Sequence, residues 1–362
     1  MRRLLLSEAG GALTNGTIES LRAAPEQFYM IGVSSDKYGL QLANTDERHL
    51  VPHSQDPQFI PILNHIIEET RSELIISQHD SVVYALSANR HRLSAPVFLP
   101  SHEVIERCQN KYASYQAWQN AGLRVPKTIL LETEEDLRRA LAELGPRIWV
   151  REIRGGFGKG AVPTDSFEFA RIWIDYYDGW GRFSAAELLE PDSVTWMSIW
   201  RDGELIVAQG RRRLYWKFGN RNLSGVTGVT GAGVTIADSA VDEIALKTIR
   251  AIDSNPHGIY SVDLTYDKDN VPNPTEINIG RFFTTHRFFT AAGLNMPYIM
   301  LKLAFGEVLP PIARKINPLT PGMVWVREMD TQPALVSEST LDSYERDLAR
   351  RLTQTHEQIT TQ

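Results

Sequence analysis

Short apolar runs alternate with helically spaced apolar residues through the first part of the chain. Leu4–Leu6 is typical of a buried strand, whereas Phe59–Arg71 has apolar side chains at helical spacing. The predicted strands are Leu4–Leu6, Tyr29–Val33 and Leu74–Ser77, and the predicted helices are Thr17–Ala24, Phe59–Arg71 and Val82–Ala88. Because strands that alternate with helices form a parallel sheet covered on both faces, we predict such a first domain over residues 1–108.

A smaller α+β unit is predicted next, over residues 109–185. The sequence Thr-Glu-Glu-Asp from Thr133 resembles a capping box and predicts a helix that runs to Leu144. A glycine-rich segment follows one of its strands directly. The helices predicted here are Asn110–Ala121, Thr133–Leu144 and Phe167–Tyr177, and the strands are Thr128–Leu131 and Arg147–Ile153.

Strand patterns dominate the rest of the chain as far as residue 309. One long helix, Val241–Asp253, interrupts them. The predicted strands are Val194–Trp200, Leu205–Gln209, Ile259–Tyr266 and Thr275–Ile279. Four prolines between positions 310 and 321 mark a boundary. We therefore predict a third domain over 186–309 and a C-terminal extension over 310–362.

Composition and charge exclude several classes of function. The 362-residue chain has a formal charge of −6, which offers no overall attraction to a nucleic-acid backbone. No stretch approaches the roughly 20 apolar residues that span a bilayer. The single cysteine, Cys108, cannot form an intrachain disulfide and fits a reducing compartment. We expect a soluble cytoplasmic protein without nucleic-acid or membrane partners, and the pattern leaves open whether it forms a homo-oligomer.

Two strands joined by a turn are predicted in GIYSVDLTYDKDNVPNPTEINIG. Side chains alternate between the faces of a strand, so Glu276 and Asn278 share one face. Folding about a turn centred between Asp269 and Asn270 brings Asp263 directly opposite Glu276. Opposed like charges repel, and a divalent cation would offset the repulsion; three hard oxygen donors suit magnesium better than zinc. The alternative is a solvated hairpin face whose acids point into water.

A glycine-rich loop lies in RIWVREIRGGFGKGAV, residues 147–162, after the strand that carries Arg151. Glycines let backbone N–H groups approach an anion closely, and Lys159 within the loop can reach a phosphate. The motif is not a Walker A loop, because Ile153 stands where that motif has its first glycine. The apolar residues that follow predict a returning strand, so the loop is the tip of an antiparallel hairpin. A flexible tip without a ligand is the alternative.

Together, and in this order, these motifs resemble the ATP-grasp superfamily, and within it the carboxylate–amine ligases that are similar to carbamoyl-phosphate synthase. The resemblance covers roughly residues 1–309. It implies an ATP-grasp fold of mixed α/β and α+β class. The implied parts are a Rossmann-like pre-ATP-grasp domain, a small lid domain with the glycine-rich loop as a flap over phosphates, and a catalytic domain with an antiparallel sheet. The implied cofactors are ATP and Mg²⁺, with Mn²⁺ as an alternative.

The resemblance also implies roles for individual residues. Phosphate contacts are implied for Lys111, Arg151, Lys159 and the flap glycines Gly156 and Gly158. Adenine and ribose contacts are implied for the Glu187 carbonyl, the Leu189 N–H and the Glu190 carboxylate in AAELLE. The metal ligands would be Asp263, Glu276 and Asn278. Arg281 resembles the arginine that stabilises an acyl phosphate. Relatives read EINPR, whereas here both Ile279 and Gly280 separate Asn278 from Arg281.

Substrate recognition has two candidate regions. Arg211 and Arg213 share a face by strand alternation, and related ligases carry an arginine near this position that binds a substrate carboxylate or phosphate. We assign that role to Arg213; a solvated basic edge is the alternative. The segment 220–235, rich in Gly, Thr and Ser, is a candidate loop that orders over substrate.

The implied activity is an ATP- and magnesium-dependent ligase that joins a carboxylate to an amine through an acyl phosphate, releasing ADP and phosphate. Both substrates would be small molecules, and an amino acid is one candidate. A second hypothesis is an enzyme that activates carboxyphosphate or carbamate. A third is a module that binds ATP without turnover, although complete metal ligands argue against it.

Overall fold

The first hundred residues fold around a parallel four-stranded sheet with strand order β3-β2-β1-β4. The computed structural model describes residues 1–156, 158–328, 334–340, 342 and 346. Helix α2 packs in one apolar core with Leu5, and α1 packs in another with Leu4 and Leu6, so helices cover both faces as predicted. The elements are β1 Arg2–Ser7, α1 Ala12–Arg22, β2 Phe28–Ser34, β3 Glu47–Leu50, α2 Phe59–Thr70, β4 Leu74–Ile76 and α3 Asp80–Ala88.

A four-stranded antiparallel sheet of order β5-β8-β6-β7 forms the next unit. Its elements, with the two helices that precede it, are α4 His102–Gln109, α5 Lys111–Asn120, β5 Thr128–Leu131, α6 Glu134–Glu143, β6 Ile148–Glu152, β7 Val162–Thr164, α7 Phe167–Tyr176 and β8 Phe183–Glu187. The capping box is confirmed: the Thr133 hydroxyl accepts from Asp136 N–H while the Asp136 carboxylate accepts from Thr133 N–H. Helix α4 was not predicted, because it buries only Ile105 and Cys108 and so has few apolar positions to mark it.

The third sheet has seven strands in the order β13-β12-β9-β10-β11-β14-β15, and its neighbours pair antiparallel. Its elements are β9 Ser193–Arg201, β10 Glu204–Trp216, β11 Thr230–Ile236, α8 Ser239–Ile252, β12 Gly258–Tyr266, β13 Pro272–Ile279, α9 Arg287–Ala291, α10 Met296–Ala304, β14 Met323–Val326 and β15 Ala334–Ser337. The predicted mixed fold class is confirmed.

Two strands of this sheet differ from the sequence prediction. Strand β10 extends beyond Gln209 to Trp216, because the polar run that follows Gln209 pairs with both β9 and β11. Strand β14 lies in the predicted C-terminal extension yet pairs with β11. The described part of the extension therefore adds to the seven-stranded sheet, and the rest of the extension lies outside the described residues. The domain boundaries stay a prediction.

Within the part of the chain that the structure describes, none of the helices has the length and apolar character needed to cross a membrane.

Candidate active site

A cavity of about 650 Å³ lies between the four-stranded antiparallel sheet that contains β6 and β7 and the seven-stranded sheet. It is lined by all thirteen residues to which the sequence analysis assigned a role. They are Lys111, Arg151, Gly156, Gly158, Lys159, Glu187, Leu189, Glu190, Arg213, Asp263, Glu276, Asn278 and Arg281. The sequence prediction therefore selected side chains that meet in one place, although their chemical roles stay predictions.

The acidic hairpin has the predicted register, with Asp263 on β12 paired with Glu276 on β13. The pairing shifts by one residue directly after this pair, where Leu264 meets Pro274. Both carboxylates line the cavity, where the two residues are half-buried. Strand alternation and a short turn were sufficient to fix this local contact from the sequence.

The two paired carboxylates have different surroundings. Asp263 Oδ1 accepts from the Thr195 hydroxyl at 2.5 Å, and its Oδ2 accepts from Asn278 Nδ2 at 3.0 Å. Burial, and then the charge of Glu276, raise the pKa of Asp263. Burial also opposes ionisation of Glu276, but the charges of Lys111 and Arg151 outweigh it and lower its pKa. The pKa values of the two paired carboxylates are therefore shifted in opposite directions.

The donor set here fits a hard cation. Asp263 and Glu276 offer carboxylate oxygens, and Asn278 offers an amide oxygen, which is the ligand chemistry that magnesium prefers. In this structure Asn278 Oδ1 accepts from Arg281 Nη2 at 2.6 Å, and Lys111 Nζ lies 3.5 Å from Glu276 Oε2. No group of three or more histidine, cysteine, aspartate or glutamate side chains among the described residues could hold a metal ion. A magnesium site here would depend on Asn278 as its third protein ligand.

The glycine-rich segment is the tip of a hairpin, as predicted, because β6 and β7 pair antiparallel on either side of it. Arg151 on β6 points into the cavity, where Nη2 donates to the Thr275 carbonyl at 3.0 Å and Nε is buried without a partner. Lys159 at the tip is exposed. A buried guanidinium with an unused donor beside exposed glycine backbone fits an anion such as a phosphate.

The flap tip touches the loop that joins β10 to β11. Gly158 has φ of +70°, and a Cβ there would lie 2.3 Å from the Val226 carbonyl oxygen. Only glycine avoids both the backbone strain and this clash. The two loops therefore close over one side of the cavity, and Val226 and Gly158 both line it.

The segment after β8 forms another wall. Glu187 ends the strand, and its carboxylate accepts from Lys127 N–H at 2.9 Å. Glu190 N–H donates to the Tyr266 carbonyl at 2.9 Å, which ties this segment to the hairpin. The Leu189 N–H donates to no other described residue. A free backbone donor beside a strand end is compatible with the edge of a planar base.

Two arginines of β10 enter the cavity from the same face, as predicted. Arg213 Nη1 donates to the Ser193 hydroxyl at 2.5 Å, and its guanidinium lies 3.5 Å from the centre of the Trp216 ring. Arg211 is only 2% exposed, so a solvated basic edge is wrong for this residue. Its described partners are threonine hydroxyls, and Nε is buried without a partner. Burial and the neighbouring charge of Arg213 lower the pKa of Arg211 to about 9.

Arg211 was left without a role by the sequence analysis, yet it is the more deeply buried of the two. Strand alternation placed it on the cavity face, but alternation does not report depth. Its Nη2 donates to Thr195 at 2.7 Å, and Thr195 donates to Asp263, so it connects indirectly to the acidic pair.

The segment 220–235 is only partly a loop. Residues 230–235 belong to β11, where they pair with β10, so the prediction of one substrate loop over the whole segment is wrong. Glycine disfavours a strand assignment from sequence, but pairing with β10 and β14 overrides that preference. The remaining part contributes Ser224, Gly225, Val226 and Gly228 to the cavity wall.

Asp80 also lines the cavity, although the sequence analysis gave it no role in the site. It lies in the first turn of α3, directly after the N-cap residue His79. Its carboxylate accepts from Arg281 Nε at 2.5 Å and from Nη2 at 3.0 Å. The two residues are 201 positions apart, and no local sequence pattern marks the contact.

Known structures have a similar fold, although no family model matches the sequence. The N5-carboxyaminoimidazole synthetase of Staphylococcus aureus is 14% identical, with a TM-score of 0.66 over 90% of this chain and 82% of its own. The L-amino acid ligase of Bacillus licheniformis is 13% identical, with a TM-score of 0.67 over 90% and 79%. A β,γ-ATP complex of biotin carboxylase from Campylobacter jejuni is 15% identical, with a TM-score of 0.69 over 90% and 75%. All three are ATP-grasp enzymes.

The chain has the ATP-grasp fold. The resemblance seen in the sequence is thereby confirmed at the level of the fold. The four-stranded antiparallel sheet and the seven-stranded sheet described above both contribute residues to the cavity wall. The low identity to each structure leaves the substrates to be argued from the residues of this chain.

Proposed function

We propose that this chain is an ATP- and magnesium-dependent ligase that joins a carboxylate to an amine through an acyl phosphate, releasing ADP and phosphate. The observation that carries the proposal is that one cavity is lined by a basic flap, an acidic hairpin and the β10 arginines Arg211 and Arg213. Structures with the same fold have been determined with ATP, ADP and MgADP bound. Proteins of similar fold include a carboxyaminoimidazole synthetase, an L-amino acid ligase and a biotin carboxylase.

Phosphate groups of the nucleotide are assigned to the flap side of the cavity. Arg151 supplies a planar guanidinium with an unused donor, and Lys159 supplies a mobile positive charge from the tip. Lys111 faces the same space, with its ammonium near Glu276. Asp263, Glu276 and Asn278 would hold magnesium, which, when bound, neutralises charge on the phosphates.

The nucleoside is assigned to the segment after β8. The Glu187 carbonyl and the Leu189 N–H would hold the adenine edge, and Glu190 would bind the ribose hydroxyls. All three residues line the cavity, and the Leu189 donor is free among the described residues. Because the adenine edge would be held by backbone groups, this part of the proposal requires no particular side chain at Glu187 or Leu189.

The carboxylate substrate is assigned to the arginine side of the cavity. Arg213 lies beside Arg211, and the described partners of both guanidiniums are neutral hydroxyls and aromatic rings rather than carboxylates. Buried cations without an acidic partner favour binding of an anion. The carboxylate oxygen would attack the γ-phosphorus, Arg281 would stabilise charge on the acyl phosphate, and the amine would then displace phosphate from the acyl carbon.

The test is a phosphate-release screen with ATP and magnesium, in which carboxylates and amines are supplied in pairs. Release that requires both members of a pair, with mass-spectrometric detection of the joined product, supports the ligase. Bicarbonate supplied as the carboxylate tests the second hypothesis, because carboxyphosphate formation would give release with bicarbonate and no organic acid. ATP binding by calorimetry without release across the panel would instead favour a non-catalytic module.

A further inference from the structure

The N-terminal domain and the acidic hairpin are joined by a contact between Asp80 and Arg281. Asp80 follows β4 and begins α3, whereas Arg281 follows β13. Their side chains form a two-point ion pair, with Oδ1–Nε at 2.5 Å and Oδ2–Nη2 at 3.0 Å. Such bidentate geometry fixes the plane of a guanidinium as well as its position. The pair also lies on the cavity wall, where both residues are lining residues.

Gly280 allows this approach. It has φ of +70°, a backbone conformation that turns the chain out of β13, and a Cβ there would lie 2.9 Å from both Val83 Cγ1 and Leu99 Cδ2. Val83 belongs to α3, the helix that begins at Asp80. The extra residue between Asn278 and Arg281 is thus accommodated by a glycine that packs directly against α3.

Two further hydrogen bonds hold the chain around Asp80 in place. Phe282 N–H donates to Gln78 Oε1 at 3.0 Å, and Gln109 Nε2 donates to the Asp80 carbonyl at 2.8 Å. The backbone at Asp80 is therefore held by hydrogen bonds that do not involve the Asp80 carboxylate. Replacing that carboxylate should leave the backbone where it is.

Arg281 connects Asp80 to the acidic hairpin. Its Nη2 donates to Asn278 Oδ1 at 2.6 Å as well as to Asp80. Its remaining nitrogen, Nη1, donates to no other described residue and so stays available to a ligand. With Nε and Nη2 held by Asp80, the free edge of the guanidinium has one orientation relative to Asn278.

We propose that Asp80 is a positioning residue, which acts through Arg281 to fix both the free guanidinium edge and the Asn278 amide for the transfer step. The proposal depends on the proposed function, because it assumes a phosphorylated intermediate beside Arg281. The N-terminal domain thereby contributes to the transfer chemistry through a residue that is not among the assigned nucleotide contacts. Without Asp80 the guanidinium can rotate away from Asn278, and the geometry of the reacting state is lost more than the affinity for ATP.

The experiment compares Asp80→Asn, Asp80→Glu and Arg281→Lys with the wild-type chain in the phosphate-release assay. We expect Asp80→Asn to lower kcat by about 10- to 100-fold and to change the KM for ATP by less than about threefold. Asp80→Glu retains the charge and should recover part of the loss. Glu103→Gln is the matched control, because it removes the carboxylate of an exposed ion pair with Arg107 outside the cavity.

A double-mutant cycle separates positioning from a general structural role. If Asp80 acts through Arg281, adding Asp80→Asn to the Arg281→Lys variant should lower kcat by less than about twofold. Independent, multiplicative losses would overturn the proposal, as would a kcat for Asp80→Asn equal to that of the control.

A crystal structure of Asp80→Asn supplies a measurement that does not depend on activity. We expect Arg281 to leave Asn278 while the backbone of α3 and β13 stays in place. If the wild-type chain releases no phosphate, the ligase proposal is refuted, and the crystal structure alone tests the positioning role of Asp80. An Arg281 side chain that is unchanged in Asp80→Asn would refute that positioning role.

Discussion

The buried histidine His286 makes the stability of this fold sensitive to mild acid. It lies at the start of α9 and packs against α1, where Nδ1 donates to the Phe283 carbonyl at 2.9 Å. Its other ring nitrogen, Nε2, lies 3.1 Å from the Thr17 hydroxyl oxygen. Both ring nitrogens thus have a hydrogen-bond partner, and no carboxylate is among the described partners of the ring. Burial lowers the pKa of His286 from 6.5 to about 4.

The size and sign of the effect follow from proton linkage. Between pH 6.5 and 4 the unfolded chain binds a proton at His286 and the folded chain does not, so stability falls as pH falls through this window. A separation of about 2.5 pKa units corresponds to about 3 kcal/mol once His286 is protonated in both states. Between pH 7 and pH 5 the expected loss from this group alone is about 2 kcal/mol.

The assay is urea unfolding followed by circular dichroism at pH 7 and pH 5, for the wild-type chain and for His286→Gln. Glutamine can keep the hydrogen bond to Phe283 but cannot take up a proton. We expect the wild-type free energy of unfolding to fall by about 2 kcal/mol more than that of the variant between the two pH values. His65→Gln, on the exposed side of α2, is the control and should follow the wild type. Equal pH dependence in wild type and His286→Gln would refute the reasoning.

Three further predictions concern the cavity. Glu276→Ala should abolish ADP production and leave the circular dichroism spectrum unchanged, whereas Asp269→Ala at the exposed turn of the same hairpin should retain activity; near-wild-type ADP production by Glu276→Ala contradicts the metal assignment. Arg213→Ala should raise the KM for the carboxylate about 10- to 100-fold, the loss of a charge-assisted contact, with little change in the Kd for ATP. Its control is Arg212→Ala, on the exposed face and paired with Glu338, and an unaltered KM would remove Arg213 from the substrate site. Gly158→Ala should raise the KM for ATP at least about threefold, because a Cβ would meet the Val226 carbonyl and push the flap away. Gly181→Ala has the same backbone strain, with φ of +76° and nothing within 4 Å, so equal KM values in these two variants would exclude the clash as the cause.

The contacts that the sequence predicted well are local. The register of Asp263 opposite Glu276 followed from strand alternation and the position of one turn. The flap was predicted because a strand, a glycine-rich tip and a returning strand are adjacent in the chain. The capping box of α6 needs only four consecutive residues. In each case the physical cause of the structure lies within a few residues of its effect.

Tertiary structure alone decided which distant groups complete the site. The pairing of Asp80 with Arg281 depends on how α3 packs against the end of β13, and Gly280 permits that packing without revealing its partner in the sequence. The burial of Arg211 depends on threonines from three separate segments, because depth is a property of everything packed above a strand rather than of the strand. Strand alternation predicts the face of the strand on which a side chain lies. The packing of the sheets and helices determines which residues that side chain contacts and how deeply it is buried.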